Sequence, residues 1–384
     1  MISLDLAPNP ANELFKEQEN SLEFSEKYKV FISSVKFHDS QYDNTHAGSG
    51  FFISYKGSVY GVTAKHVLYF AKTDSMTAVD FNEELKSWEF VSPADTTIRI
   101  KAGKLVNTNS DELLSEPLKG DWLIFEIEDE LPENIHVHEI SNKEPDNGEK
   151  LSFSGFPYES KDPLAPLTIN GSYEGSEEKW VLKMNVPKGN YGGMSGGPVT
   201  NSNGQVIGLV SMGYFNQEEQ RMVFQPSSVS YFKEVIAQEN AKWVKPAFME
   251  FGSALVEIKE FLETNEYSYE QKSIEPIELP TAKESQIQLD VKGIPYGGKK
   301  RFVELIFADE VLEMVWVLTE AEEEEVIKKY FKRVYGEPTH ILPGAWFHLN
   351  DGVGLRNEPH EVAFISERLK EPYRAWFESM ESGE

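Results

Sequence analysis

The sequence predicts a mainly β protein: two six-stranded barrels, then a helical linker, then a small α+β domain. Three observations carry this. From Tyr28 to about residue 240, short apolar runs alternate with Gly, Asn, Asp and Ser turns, the pattern of all-β barrels. Residues 241–280 change first to a helical period and then to acidic, proline-bearing sequence. Residues 281–384 return to strands around one capped helix. A chain of 384 residues with 40% apolar content is long enough for two or so domains with their own cores.

In chain order, residues 1–25 read as a polar, acidic leader, with helical spacing near Leu14 and Phe15, that packs on the first domain or is partly disordered. Residues 26–240 form the barrel region, opening with the apolar run 28–32. Strands are expected at 47–53, 60–64 and 122–127, and a turn and strand at 204–213. Val229, Tyr231, Phe232, Val235 and Ile236 mark a closing helix over 228–238. The connector, 241–280, carries a helix over 254–262 before the proline-bearing run 274–280. In 281–384, strands are predicted at 286–291, 302–307 and 312–318. A helix follows, with Thr319 and Glu322 as its capping box, i,i+4 pairs Glu324–Lys328 and Glu325–Lys329, and a stop at Gly336 and Pro338. Strands over 345–349 and 361–366 complete the unit.

One heptapeptide concentrates the chemistry: Gly192-Gly193-Met194-Ser195-Gly196-Gly197-Pro198. A serine hydroxyl is a weak nucleophile until an imidazole takes its proton, and the imidazole needs an orienting carboxylate. Glycines around such a serine let backbone N–H groups converge on an oxyanion. His66 follows Thr63-Ala64-Lys65, and Asp121 directly precedes the apolar run from Trp122. Asp95, Asp111 and Asp129 also lie between His66 and Ser195, but none of them directly precedes such a strand.

Together with Ala47-Gly48-Ser49-Gly50-Phe51, Gly155-Phe156-Pro157 and Phe224-Gln225-Pro226-Ser227, these motifs resemble, in order, the trypsin/chymotrypsin-like serine protease superfamily, and in particular its HtrA-like members. The resemblance implies a chymotrypsin-like double barrel and an endopeptidase with His66, Asp121 and Ser195 as triad. Gly193 and Ser195 are then the oxyanion donors. It implies a specificity pocket from Gly189, Asn190, Ser211, Met212 and Gly213, whose strand pairs with an extended polypeptide substrate. No acid lies in residues 186–191, so an uncharged, apolar or small side chain is expected there. Two positions depart from the pattern. Met194 stands where digestive members have an aspartate that pairs with a new N-terminus, which removes that activation route. Lys65 stands where alanine is usual and reads as facing solvent.

Composition narrows the partners. A net charge of −27 disfavours nucleic acid and anionic membranes, and no apolar run is long enough to span a bilayer. The absence of cysteine and of a basic, apolar start points to the cytoplasm. No cofactor or metal is expected. His340, His348 and His360 with Asp351 match no metal spacing, and His136 and His138 read as an exposed strand face. The C-terminal domain is expected to recruit, regulate or assemble, as in bacterial defence or stress pathways. The alternative function is a catalytically silent peptide-binding or scaffolding protein.

Overall fold

A computed structural model describes residues 28–127, 129–175 and 178–382. The predicted leader, 1–25, lies outside them. The chain divides into two compact units, 1–236 and 237–384.

The first unit holds two large β bodies and a small two-stranded sheet of Ala78–Val79 with Asn109–Leu113. In the first, Arg99–Lys101, Leu85–Val91, Phe31–Phe37, Ser49–Tyr55, Ser58–Thr63 and Leu123–Glu126 lie side by side, and Val137–Glu139 adds in parallel to Ser49–Tyr55. A tight hairpin joins Tyr55 to Ser58 through Lys56 and Gly57, both with positive φ, the turn type that matches strand twist. The path ends meet through irregular backbone rather than a strand. Gly103 N–H donates to Glu126 O at 2.8 Å, Glu126 N–H to Lys104 O at 3.0 Å, and Val106 N–H to Ile124 O at 2.7 Å. The interior is aromatic, with Trp88 and Phe90 each against Phe125 and all three buried.

The second body is a closed six-stranded barrel in the order Lys150–Gly155, Leu167–Tyr173, Met184–Val186, Arg221–Ser228, Val206–Asn216 and Pro198–Thr200. Its core gathers Leu151, Phe153, Met184, Val199, Val210 and Phe224. Helix Val229–Ala241 then returns to the first body, where Phe232 meets Tyr60 and Trp122 at ring distances of 5.5 and 5.6 Å.

The second unit is one antiparallel sheet of eight strands, running Tyr269–Ser273, Gln286–Tyr296, Lys299–Ala308, Val311–Leu318, His360–Ile365, Val353–Asn357, Ala345–His348 and His340–Leu342. Helices Leu255–Thr264 and Glu324–Tyr335 pack one face, and Glu367–Ser382 packs the other. The stretch expected as a connector therefore contributes to the fold: Leu255, Ile258 and Leu262 are buried, and Tyr269–Ser273 pairs along its whole length with Gln286–Tyr296. Acidic, proline-bearing composition signalled a linker, but the tertiary partners decide the state. Helix Glu367–Ser382 is not among the predicted elements; Pro372 sits inside it, a residue that removes a helical hydrogen bond. The capping box lies one residue later than predicted, at Glu320 and Glu323. Lys328 pairs with both Glu324 and Glu325, at 2.5 and 3.0 Å. Among the described residues no helix is long and apolar enough to cross a membrane.

If Leu255–Thr264 belongs to the core of the second unit, Leu262→Ala lowers that unit's stability by about 2–5 kcal/mol, the cost of a buried leucine cavity. Urea unfolding followed by tryptophan fluorescence measures this, and an unchanged midpoint would contradict it.

Candidate active site

His66 and Asp121 meet because their strands do. Ser58–Thr63 and Leu123–Glu126 are antiparallel neighbours, with Thr63 opposite Leu123. The 3-10 turn Lys65–Tyr69 that follows the first strand and the residues just before the second therefore share one edge. His66 N–H donates to Asp121 Oδ1 at 2.7 Å, and His66 Nδ1 lies 2.6 Å from Asp121 Oδ2. A carboxylate only accepts, so Nδ1 carries the ring proton and Nε2 keeps its lone pair. Nε2 faces Ser195 Oγ at 2.9 Å. Asp121 is held further by the Ser211 hydroxyl, which donates to Oδ2, and by its own N–H, which donates to Ser227 Oγ at 3.0 Å. Burial pushes the His66 pKa down, but the hydrogen bond and charge of Asp121 outweigh it, and the net shift is upward. Of the other acids, Asp95 accepts from Thr97, whereas Asp111 and Asp129 are exposed.

The loop around Ser195 is fixed by its backbone. Met194 N–H donates to Tyr191 O, Gly196 N–H to Val210 O and Gly197 N–H to Met194 O, while Gly192 N–H donates to Asn190 Oδ1. Among the described residues, the N–H groups of Gly193 and Ser195 have no acceptor. Tyr158 N–H holds the Gly192 carbonyl at 2.8 Å, so the Gly193 N–H of the same trans peptide points the opposite way. Gly193 has φ +96°, and a Cβ there would lie 2.6 Å from Phe156 O, so only glycine fits. The Ser49 hydroxyl donates to Gly193 O at 3.0 Å and accepts from Phe156 N–H at 2.8 Å. Met194 is buried in the second barrel's core.

Lys65 corrects the expectation of a solvent-facing side chain: it is fully buried, and its ammonium pairs with Glu112 at 2.8 Å. Burial is also the correction for His138, whose Nε2 donates to Lys29 O at 3.1 Å; desolvation pushes its pKa to about 4. His340, His348 and His360 take separate neighbours, namely Phe377, the rings of Phe331 and Tyr335, and Glu324.

Of the expected specificity residues, Gly189 and Asn190 are exposed, and Asn190 reaches Glu159 at 3.4 Å. Ser211 spends its hydroxyl on Asp121, and Met212 is 62% exposed. Gly213 lies opposite Phe224, whose ring is 3.1 Å from where a Gly213 Cβ would stand. Beyond Leu209, Val206–Asn216 has lost its Pro198–Thr200 partner, so residues 212–216 pair on one side only. Sequence reasoning quoted Ser49, Phe224 and Ser227 within motifs but gave them no role, and it did not single out Glu112. Their contacts join residues far apart in the chain, and no local spacing signals them.

The family of the trypsin-like peptidase domain matches residues 48–209. Among solved structures, the chain is similar to a thermostable serine protease, AL20, from an extremophilic microorganism, with 15% identity over 55% of this chain and 96% of that one and a TM-score of 0.39. It is also similar to a serine endoprotease from Yersinia pestis, with 16% identity over 61% of this chain and 67% of that one and a TM-score of 0.38. No curated protein matches the chain.

Proposed function

We propose that this chain, a member of the trypsin-like serine protease superfamily through residues 48–209, is a serine endopeptidase acting on extended polypeptide. One observation carries the reading: an unbroken hydrogen-bonded line from Asp121 through His66 to Ser195 Oγ, beside two backbone N–H groups with no acceptor among the described residues. Ser195 Oγ attacks the substrate carbonyl as its proton passes to His66 Nε2. The charge that develops on the carbonyl oxygen is met by Gly193 and Ser195 N–H, donors of a kind each worth about 3–4 kcal/mol in the transition state. Asp121 stabilises the imidazolium, which then protonates the leaving amine. Water repeats the sequence on the acyl-enzyme, and Ser195 is restored.

The open edge at residues 212–216 supports binding of substrate as an added strand. The side chain before the scissile bond then sits between Gly189–Tyr191 and Ser211–Gly213. The Phe224 ring stands behind Gly213, and Tyr191 meets Phe224 at 5.2 Å, so the space is shallow and apolar. Small uncharged side chains fit it.

Two predictions follow from these contacts. A fluorophosphonate probe labels the full chain but neither Ser195→Ala nor His66→Ala. Because His66 must be neutral to act as base and its pKa is raised, the labelling rate climbs with pH through a midpoint above the ordinary imidazole value of about 6.5, and Asp121→Asn lowers that midpoint. A folded chain that takes no label at any pH would refute the reading. For specificity, Phe224→Gly raises cleavage after Leu or Phe relative to Ala by about tenfold or more, the scale of a few methylenes in an apolar pocket. Profiling on peptide libraries measures the ratio, and an unchanged ratio would remove Phe224 from the pocket.

A further inference from the structure

We propose that the buried ammonium of Lys65 is a positioning group that sets the register of Asp121 against His66; the inference rests on the protease reading above. An ammonium has three N–H donors, and here each has one acceptor: Glu112 Oε1 at 2.8 Å, Lys119 O at 2.8 Å and Tyr231 OH at 3.0 Å. The side chain has no solvent exposure. The three acceptors come from three places: the strand Asn109–Leu113, the segment leading to Asp121, and helix Val229–Ala241.

The contacts form a closed loop of restraints. Glu112 Oε1 also accepts from Lys119 N–H at 2.8 Å, so the main chain of Lys119 is gripped at both its N–H and its carbonyl. Gly120 follows, against the Tyr231 ring, which a Cβ would approach to 2.2 Å. Asp121 comes next, and its carbonyl accepts from Lys65 N–H at 3.3 Å while its carboxylate takes His66 N–H and Nδ1. Residues 119–121 are thus held against 65–66 at both ends, one end by backbone and carboxylate, the other by the ammonium. A buried ion pair is a weak source of stability, because an apolar pair of similar volume often serves as well. What an apolar pair cannot do is fix the Lys119 carbonyl in direction and distance. A triad needs such fixing, since a displacement of about 1 Å costs about 100-fold in rate.

The test replaces both charges together, Lys65→Met with Glu112→Leu, so that neither is left buried alone. Three quantities are compared with the unaltered full chain: thermal unfolding, kcat and KM on a peptide substrate, and the low-field proton NMR signal of His66 Nδ1–H in the Asp121 bond. The account expects a folded protein with KM nearly unchanged, kcat lower by about 100-fold, and the low-field signal shifted or lost. A folded double variant with the original kcat and signal overturns it. If the double variant does not fold, Tyr231→Phe, which keeps the ring and removes one acceptor, is expected to show a smaller loss of the same kind, and an unchanged signal and kcat there overturn the proposal. If the unaltered chain cleaves nothing and takes no fluorophosphonate label, the protease reading has failed, and the His66 proton signal alone decides the role of Lys65.

Discussion

Ser49 ties the two β bodies together at the point where the site needs it. Its N–H donates to Ser195 O at 2.7 Å, its carbonyl accepts from Thr63 Oγ1 at 2.6 Å, and its hydroxyl bridges Phe156 N–H and Gly193 O. Ser49, Thr63, Phe156 and Gly193 are buried, and the partners of Ser49 come from both bodies. His66 and Asp121 stand on the first body and Ser195 on the second, so the 2.9 Å contact between His66 and Ser195 depends on this seam holding. Gly196 allows the approach: a Cβ there would meet Ser49 O at 2.3 Å.

Around that seam, each candidate group is restrained by a contact that removes one freedom. The ring of His66 is turned by Asp121, Asp121 is held by Ser211 and Ser227, and the segment before Asp121 is held by Lys65, Glu112 and Tyr231. The Gly193 peptide is oriented from behind by Tyr158 and Ser49. Preorganised donors of this kind pay no reorganisation cost when charge develops, which is where their effect on a transition state comes from. The price is sequence constraint at glycines and small hydroxyl residues that have no chemistry of their own.

The parts legible in the sequence are those written locally. Ser195 announces itself through flanking glycines, Asp121 through the apolar strand it precedes, and the barrels through turn spacing. Residues whose role depends on distant partners were not legible. Lys65 looks like a surface lysine until Glu112 and Tyr231 are brought against it. Phe224 opens a recognisable motif, but its place beside the expected pocket shows only when it is found opposite Gly213. His138 is buried because Val137–Glu139 adds to the first body in parallel, a pairing that alternation cannot reveal. In the second unit, the helical spacing of Leu255, Ile258 and Leu262 is plain in the sequence, but only the sheet shows that this helix is core rather than connector.

The central claim is that Ser195 Oγ and the N–H groups of Gly193 and Ser195 converge on one reacting centre. The most direct measurement is a crystal structure of the chain after reaction with a peptidyl phosphonate. The account predicts a covalent bond from Ser195 Oγ to phosphorus, with one phosphonyl oxygen at about 3 Å from both N–H groups. An adduct on another residue, or a phosphonyl oxygen turned away from Gly193 and Ser195, would contradict it.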